Sequence, residues 1–174
     1  MEQNIVLSSS AISNSQAVNP AGIQAEILVL MKQSESEDKF CDGILRLLVN
    51  LINASGSVIL EGQAQGQFFF RYSLFHSKLL PEKDRLLSEM SSLALAAIKK
   101  GNTRFTSFVS SEGKLFHIIL TPALDNSCVH LGVVLELAPG AMVEPFLIIV
   151  QLMAGELGFM LCKKVFRKIN GMQK

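Results

Sequence analysis

The sequence predicts an α+β fold in which a central antiparallel sheet of five to six strands is flanked by N-terminal and C-terminal helices. Three observations lead there. Apolar residues recur at helical spacing over 20–52 and again over 143–166. Between these stretches, short β-branched and aromatic runs alternate with turn residues around a single inserted helix. The helices are thus grouped before and after the strands, which argues against a doubly wound parallel sheet.

The elements follow in order. Residues 1–19 are polar and rich in side chains that hydrogen-bond their own backbone, so a flexible leader is expected. Asn19 stands as a cap with Pro20 at the first helical position, and Ile23, Ile27, Leu30 and Met31 form one stripe. Ser34 and Glu37 have capping-box spacing before a second helix with Phe40, Ile44, Leu47, Leu48 and Leu51 on its apolar side, and Gly56 is the expected stop. Cys41, Leu45 and Ile52 widen that stripe, so the helix should meet two neighbours.

From Ser57 the period changes. Residues 57–61 and 67–75 read as a hairpin whose tip, 62–66, contains two glycines. Pro81, Glu82 and Asp84 then open a helix with Leu86, Met90, Leu93 and Ala97 on one side, and Lys99, Lys100 and Gly101 close it in agreement with the helix dipole. Strands at 104–110, 114–122 and 129–137 are joined by turns at 111–113 and 125–127. After Pro139-Gly140, residues 143–166 form a last helix that is apolar around nearly its whole circumference. One side must meet the sheet while the other meets lipid or a second protein. Its central span, 146–162, holds Gln151 and Glu156 and is slightly short for a membrane crossing, so a dimerising helix is expected.

With 174 residues the chain can bury roughly 70% of its extended surface, enough for one core, and a single domain over 20–170 with a short tail at 171–174 is expected. Apolar residues make up 49% and charged residues 18%, a surplus of core-formers that a partner, ligand or membrane must cover. A net charge of +1 gives no field that selects nucleic acid. Charge is nevertheless uneven: residues 143–174 carry Lys163, Lys164, Arg167, Lys168 and Lys174 against Glu144 and Glu156. Cys41, Cys128 and Cys162 lie apart in apolar runs, which suits buried free thiols in a reducing compartment rather than disulfides or a metal site. The first residues lack the basic region of a secretory signal, so a cytoplasmic protein is expected.

Three stretches resemble the GAF family of sensor domains. They are the helix-then-strand run at 40–60; the pair Lys114-Leu115-Phe116-His117-Ile118-Ile119-Leu120-Thr121-Pro122 and His130-Leu131-Gly132-Val133-Val134-Leu135-Glu136-Leu137; and the helix that leaves the last strand. The resemblance covers roughly 22–166 and implies profilin-like layering, a regulatory role in signalling, and a small-molecule ligand. The stretch 57–104, with Tyr72-Ser73-Leu74-Phe75-His76-Ser77, is similar to GAF-like modules fused to membrane-fusion adaptors of bacterial secretion systems. That likeness implies a bacterial protein held near a membrane by a C-terminal neighbour. Where cyclic-nucleotide-binding members carry an acidic pair, Val109 and Ser110 stand here, and no Cys-His pair is present for a bilin. No cofactor is implied.

Candidate ligand contacts are few. Alternation along 68–75 puts Phe69, Arg71 and Ser73 on one side and Phe70, Tyr72 and Leu74 on the other, so Arg71 could offer its planar fork to a carboxylate or phosphate beneath the 82–100 helix, with Ser73 beside it. His76 would stand at the pocket mouth, and Phe108, Phe116 and Thr121 would line an apolar wall. His117 and His130 fall on adjacent strands but make a poor metal site without a third ligand, so no metal is expected. Ile27 and Met31 of the first helix and Gln151, Gly155 and Gly158 of the last are candidates for a dimer interface. The reading that results is a non-enzymatic, homodimeric sensor or regulatory module binding an unidentified small molecule. The alternative is a structural adaptor or secretion-associated scaffold with an occluded pocket.

Overall fold

The computed structural model describes residues 19–63, 66–123 and 128–171, without the side chains of 163–171. The expected 125–127 turn and nearly all of the leader and the C-terminal tail fall outside them, as do residues 64 and 65 of the hairpin tip.

Helix α1 (Pro20–Gln33) starts as its residues dictate. The Asn19 side-chain oxygen accepts the Gly22 N–H at 3.2 Å, and Pro20 occupies the first turn, where its missing N–H costs nothing. The junction that follows departs from expectation. Ser34 closes α1, donating its hydroxyl to the Leu30 carbonyl at 2.7 Å, while Ser36 caps α2 (Glu37–Ile52) by accepting the Lys39 N–H at 3.2 Å. The capping box of Ser34 and Glu37 is therefore not formed. Helix α2 ends at Asn53, which takes the left-handed conformation (φ 50°, ψ 47°), a place Asn tolerates better than other non-glycine residues. Gly56 is not the stop; it opens the first strand, where a Cβ would sit 2.6 Å from the Phe75 ring.

Five strands form one wholly antiparallel sheet: β1 (Gly56–Gly62), β2 (Phe68–Phe75), β3 (Arg104–Val109), β4 (Leu115–Pro122) and β5 (Val129–Leu135), in the order β2-β1-β5-β4-β3. Strand β5 lies in the middle, and all seven of its residues are buried. On one face, Ile59, Ile119, Leu131, Val133 and Leu135 meet α1, α2 and α4 (Glu144–Gly171). On the other, Val58, Leu60, Phe108, Phe116, Ile118, Leu120 and Val134 meet Leu86, Met90 and Ala94 of α3 (Lys83–Lys100). The layering is that of an α+β sandwich with the terminal helices on one side and α3 on the other.

Simple alternation fails in β2. Ile59 pairs with Tyr72 and Leu60 with Phe70, so Arg71 is an extra residue in a β-bulge. Beyond it the side chains change sides: Phe68 and Phe70 pack on the α3 side, whereas Tyr72 and Leu74 pack with α2. Phe70 and Tyr72 thus do not share a face.

Pro81 does not start α3. It lies within a 3-10 helix (Ser77–Glu82), and α3 follows from Lys83. The reason is Glu82, whose carboxylate turns inward to accept the Ser111 N–H at 2.6 Å and the Ser111 hydroxyl, and to pair with Arg85 at 2.7 Å. One buried acid thereby ties the start of α3 to the β3–β4 turn. The Ser111 hydroxyl and N–H hold its carboxyl below the usual carboxylate range. A group depressed in the folded state stabilises above its unfolded pKa and loses that contribution as pH falls through the folded value. Glu82→Gln should therefore lower the melting temperature at pH 7 by on the order of 5 °C, and the gap to the parent should narrow on acidification below about pH 4.5. Parallel melts at pH 7 and pH 3.5 with an unchanged gap would refute this anchor.

The cysteines divide. Cys41 is buried in α2, but Cys128 and Cys162 are exposed. The expectation of three buried thiols fails because Cys128 precedes the first residue of β5 and Cys162 lies on the outer side of α4.

Candidate functional site

Arg71 is placed by its bulge toward α2 rather than beneath α3. Its guanidinium bridges Glu37 at 2.6 Å and Glu61 at 3.0 Å. The neighbouring Tyr72 hydroxyl donates to Asp38, and burial together with that bond pushes the phenol up to about 12. The fork that alternation assigned to a ligand is taken up joining β2 to the start of α2. Ser73 is exposed on the far side of the bulge.

His76 does border a cavity, though not one beneath α3. A half-open space of about 430 Å³ at the end of the sheet is lined by His76, Lys78, Asn53, Phe116 and Glu136, among others. Within it Glu136 pairs with Lys114 at 2.7 Å. His76 also caps the 3-10 helix. Phe108 is buried core, with the Arg85 guanidinium 4.9 Å above its ring.

Thr121 lies on the α4 side instead of on a wall with Phe108. Its hydroxyl meets that of Thr103 at 3.0 Å, and Gln151 of α4 donates to the Thr103 oxygen at 2.8 Å. The two strand histidines do not approach each other. His117 pairs with Leu135 and His130 with Pro122, which separates them by five residues along the ladder, about 17 Å, and on opposite faces.

The dimer candidates divide as well. Ile27 and Gly158 are buried within the protomer and Met31 is half-buried against the same core, so these three face inward. Gln151 and Gly155 face outward. Among the described side chains of α1 and α4, the exposed large apolar residues are Leu28, Val29, Ile148 and Phe159.

A more distinctive pair lies on the α3 face at the other end of the sheet. Arg104 opens β3, level with Leu120 of β4 and Gly132 of β5; His130 is two residues from Gly132 on the same face. Two strand spacings and two residue rises put their backbones about 12 Å apart. Nε and Nη2 of Arg104 and both ring nitrogens of His130 are buried without a hydrogen-bond partner. His130 has 0% exposure and meets the Phe68 ring edge-on at 6.0 Å. Burial pushes its imidazole below the ordinary histidine value, and the Cys128 backbone, near the ring without meeting hydrogen-bond geometry, offsets this only in part. Small residues of α3, Ala94 and Ala97, are buried on the helix's inner side near its C-terminal end.

Buried polar groups are nearly always paired, because an unpaired one keeps its full desolvation cost. Two such groups on one face form a donor set for an acceptor-rich guest. The alternation of β3 carries the only available signal for Arg104: with Thr106 and Phe108 it marks one face, and Phe108 is core.

No family model and no curated protein matches the sequence. The fold does match solved structures. The GAF domain of A. aeolicus nlh2 in an inactive state superposes with a TM-score of 0.62 at 12% identity, over 83% of this chain and 96% of that one. The GAF domain of a putative sensor histidine kinase from Pseudomonas syringae pv. tomato gives 0.55 at 11% identity, over 89% and 93%. GAF3 of a Synechocystis protein in its photoproduct state gives 0.53 at 9%, over 80% and 100%. The fold is GAF-like.

Proposed function

We propose that this GAF-like chain is a non-enzymatic sensor or regulatory module that binds a small anionic molecule under α3 and works as a homodimer through its terminal helices. The observation that carries the reading is the pair Arg104 and His130, with four buried nitrogens lacking partners on one face. Arg104 is half-buried, yet its Nε and Nη2 are buried without a partner, and a carboxylate or phosphate lodged between the two residues would satisfy both by charge-assisted hydrogen bonds. The comparison with sensor domains supports the class of function. The exposed Leu28, Val29, Ile148 and Phe159 support self-association of α1 and α4.

Native mass spectrometry of the purified protein reads ligand and subunit number together. The expected spectrum is a dimer carrying one small molecule per chain. Arg104→Met should lose that mass while gaining about 1 kcal/mol of stability in the ligand-free form, because an unpaired buried donor is removed. A parent protein that retains nothing and is not stabilised by small carboxylates or phosphate would overturn the ligand.

A second reading has its own support. Leu86, Met90, Phe108, Phe116 and the half-buried Phe70 and Phe75 fill the space under the first half of α3. A filled layer suits an adaptor or secretion-associated scaffold, in which the fold serves only for association.

A further inference from the structure

We propose that the hollow at the end of the sheet is a second binding site, suited to a small zwitterion: a free α-amino acid with an apolar side chain. It lies at the opposite end of the sheet from Arg104 and His130, so it stands independently of the anion reading.

Three connections meet there. Residues 53–55 join α2 to β1, residues 76–78 lead out of β2, and residues 136–139 leave β5 toward α4. The backbone of Ser55 ties them together, donating its N–H to the Val134 carbonyl at 2.8 Å and accepting the His76 N–H at 2.8 Å. The rim is thereby pinned to the sheet. Its volume of about 430 Å³ falls within the range of roughly 300–1,000 Å³ usual for small-molecule sites.

The charges on the rim select the guest. Lys78 brings an ammonium that pairs with no described residue, and Glu136 brings a carboxylate whose Oε1 accepts from Lys114 at 2.7 Å while Oε2 is bonded to no described residue. A purely anionic guest would face Glu136 and a purely cationic one would face Lys78, so the two suit a molecule that carries both charges. An amino-acid carboxylate would meet Lys78, and its ammonium Glu136. The Lys114 pair is no obstacle, because it is 38% and 43% exposed and such surface pairs contribute little.

Neutral donors complete the anionic end. The Nδ1 atom of His76 accepts the Lys78 N–H at 3.5 Å, which leaves Nε2 to donate. Neither the Asn53 amide nor the Ser55 hydroxyl is bonded to a described residue, so both are available to a guest. Leu79, Phe116 and Leu137 supply an apolar floor. A second hollow of about 300 Å³, walled by Val49, Leu74 and Phe75, adjoins the first at His76 and gives a long side chain room to extend.

Calorimetric titration of the whole protein with each standard L-amino acid tests the site. At least one with an apolar side chain should bind with a dissociation constant below about 1 mM. Lys78→Met and Glu136→Gln should each weaken that binding by about tenfold or more, without changing the melting temperature, since both residues are exposed. The N-acetyl and amide derivatives of the same amino acid, each lacking one charge, should not bind. Arg104→Met should leave the affinity unchanged, and amide exchange on binding should slow at 53–55, 76–78 and 136–139. Binding that survives either rim variant, tolerates the loss of either charge, is lost in Arg104→Met or protects only the α3 layer overturns the site. Failure of every amino acid to bind at millimolar concentration overturns it too, and leaves the anion reading untouched.

Discussion

Truncation of Leu131 to Ala should lower the free energy of unfolding by about 3 kcal/mol, among the largest effects expected of any single side-chain truncation in this chain. Leu131 has 0% exposure in the middle strand, between Ile59 of β1 and Thr121 of β4, and packs into the layer shared with α2 and α4. Neighbours on both sides are held by ladder hydrogen bonds, so the site cannot collapse to fill the cavity. Leu115→Ala is the contrast: at 49% exposure near the sheet edge it should change stability by less than about 0.5 kcal/mol. Urea titrations with equal slopes would compare the two. A Leu131→Ala loss smaller than about 1 kcal/mol would mean that β5 is not the rigid centre of the sheet.

The order and type of the elements were legible because each rests on local chemistry. Asn19 and Pro20 mark α1 whatever packs against it. The successive turns around β3, β4 and β5 dictate an antiparallel sheet. The errors lie where tertiary contacts decide between equivalent local choices. Ser34 and Ser36 are both competent caps, and only the Leu30 carbonyl, accepting from Ser34, decides which helix each serves. Alternation in β2 is valid until the extra residue at Arg71, and a bulge leaves no mark in the polarity pattern. For the same reason Arg71 looked like a pocket residue, while Glu37 and Glu61, remote in sequence, take its fork. The pairing of β4 and β5 likewise shows why adjacent strands need not bring His117 and His130 together: register, not adjacency, sets the distance. Arg104 was illegible as a candidate because a lone arginine opening an edge strand normally points to water, and the burial of its Nε and Nη2 is set by tertiary packing.

His130→Leu should stabilise the protein at neutral pH by about 1–2 kcal/mol, since it replaces two unpaired buried nitrogens with an apolar side chain of similar volume. The effect of pH has a definite sign. The folded imidazole has its pKa lowered by burial, so below the ordinary histidine value of about 6.5 the unfolded chain binds a proton that the folded one refuses. Stability of the parent should fall as pH drops through this window, and the advantage of His130→Leu should widen between pH 7 and pH 5. Denaturant titrations at three pH values would measure it, and an advantage that stays constant or shrinks would exclude a buried neutral His130. The same residue links stability to the proposed ligand. An anion bound beside Arg104 would favour the protonated imidazole and raise its pKa. Saturating ligand should then flatten the acid-induced loss in the parent and leave the variant's curve unchanged in shape. A parent curve that ligand does not flatten would separate His130 from the binding site even if Arg104 remained in it.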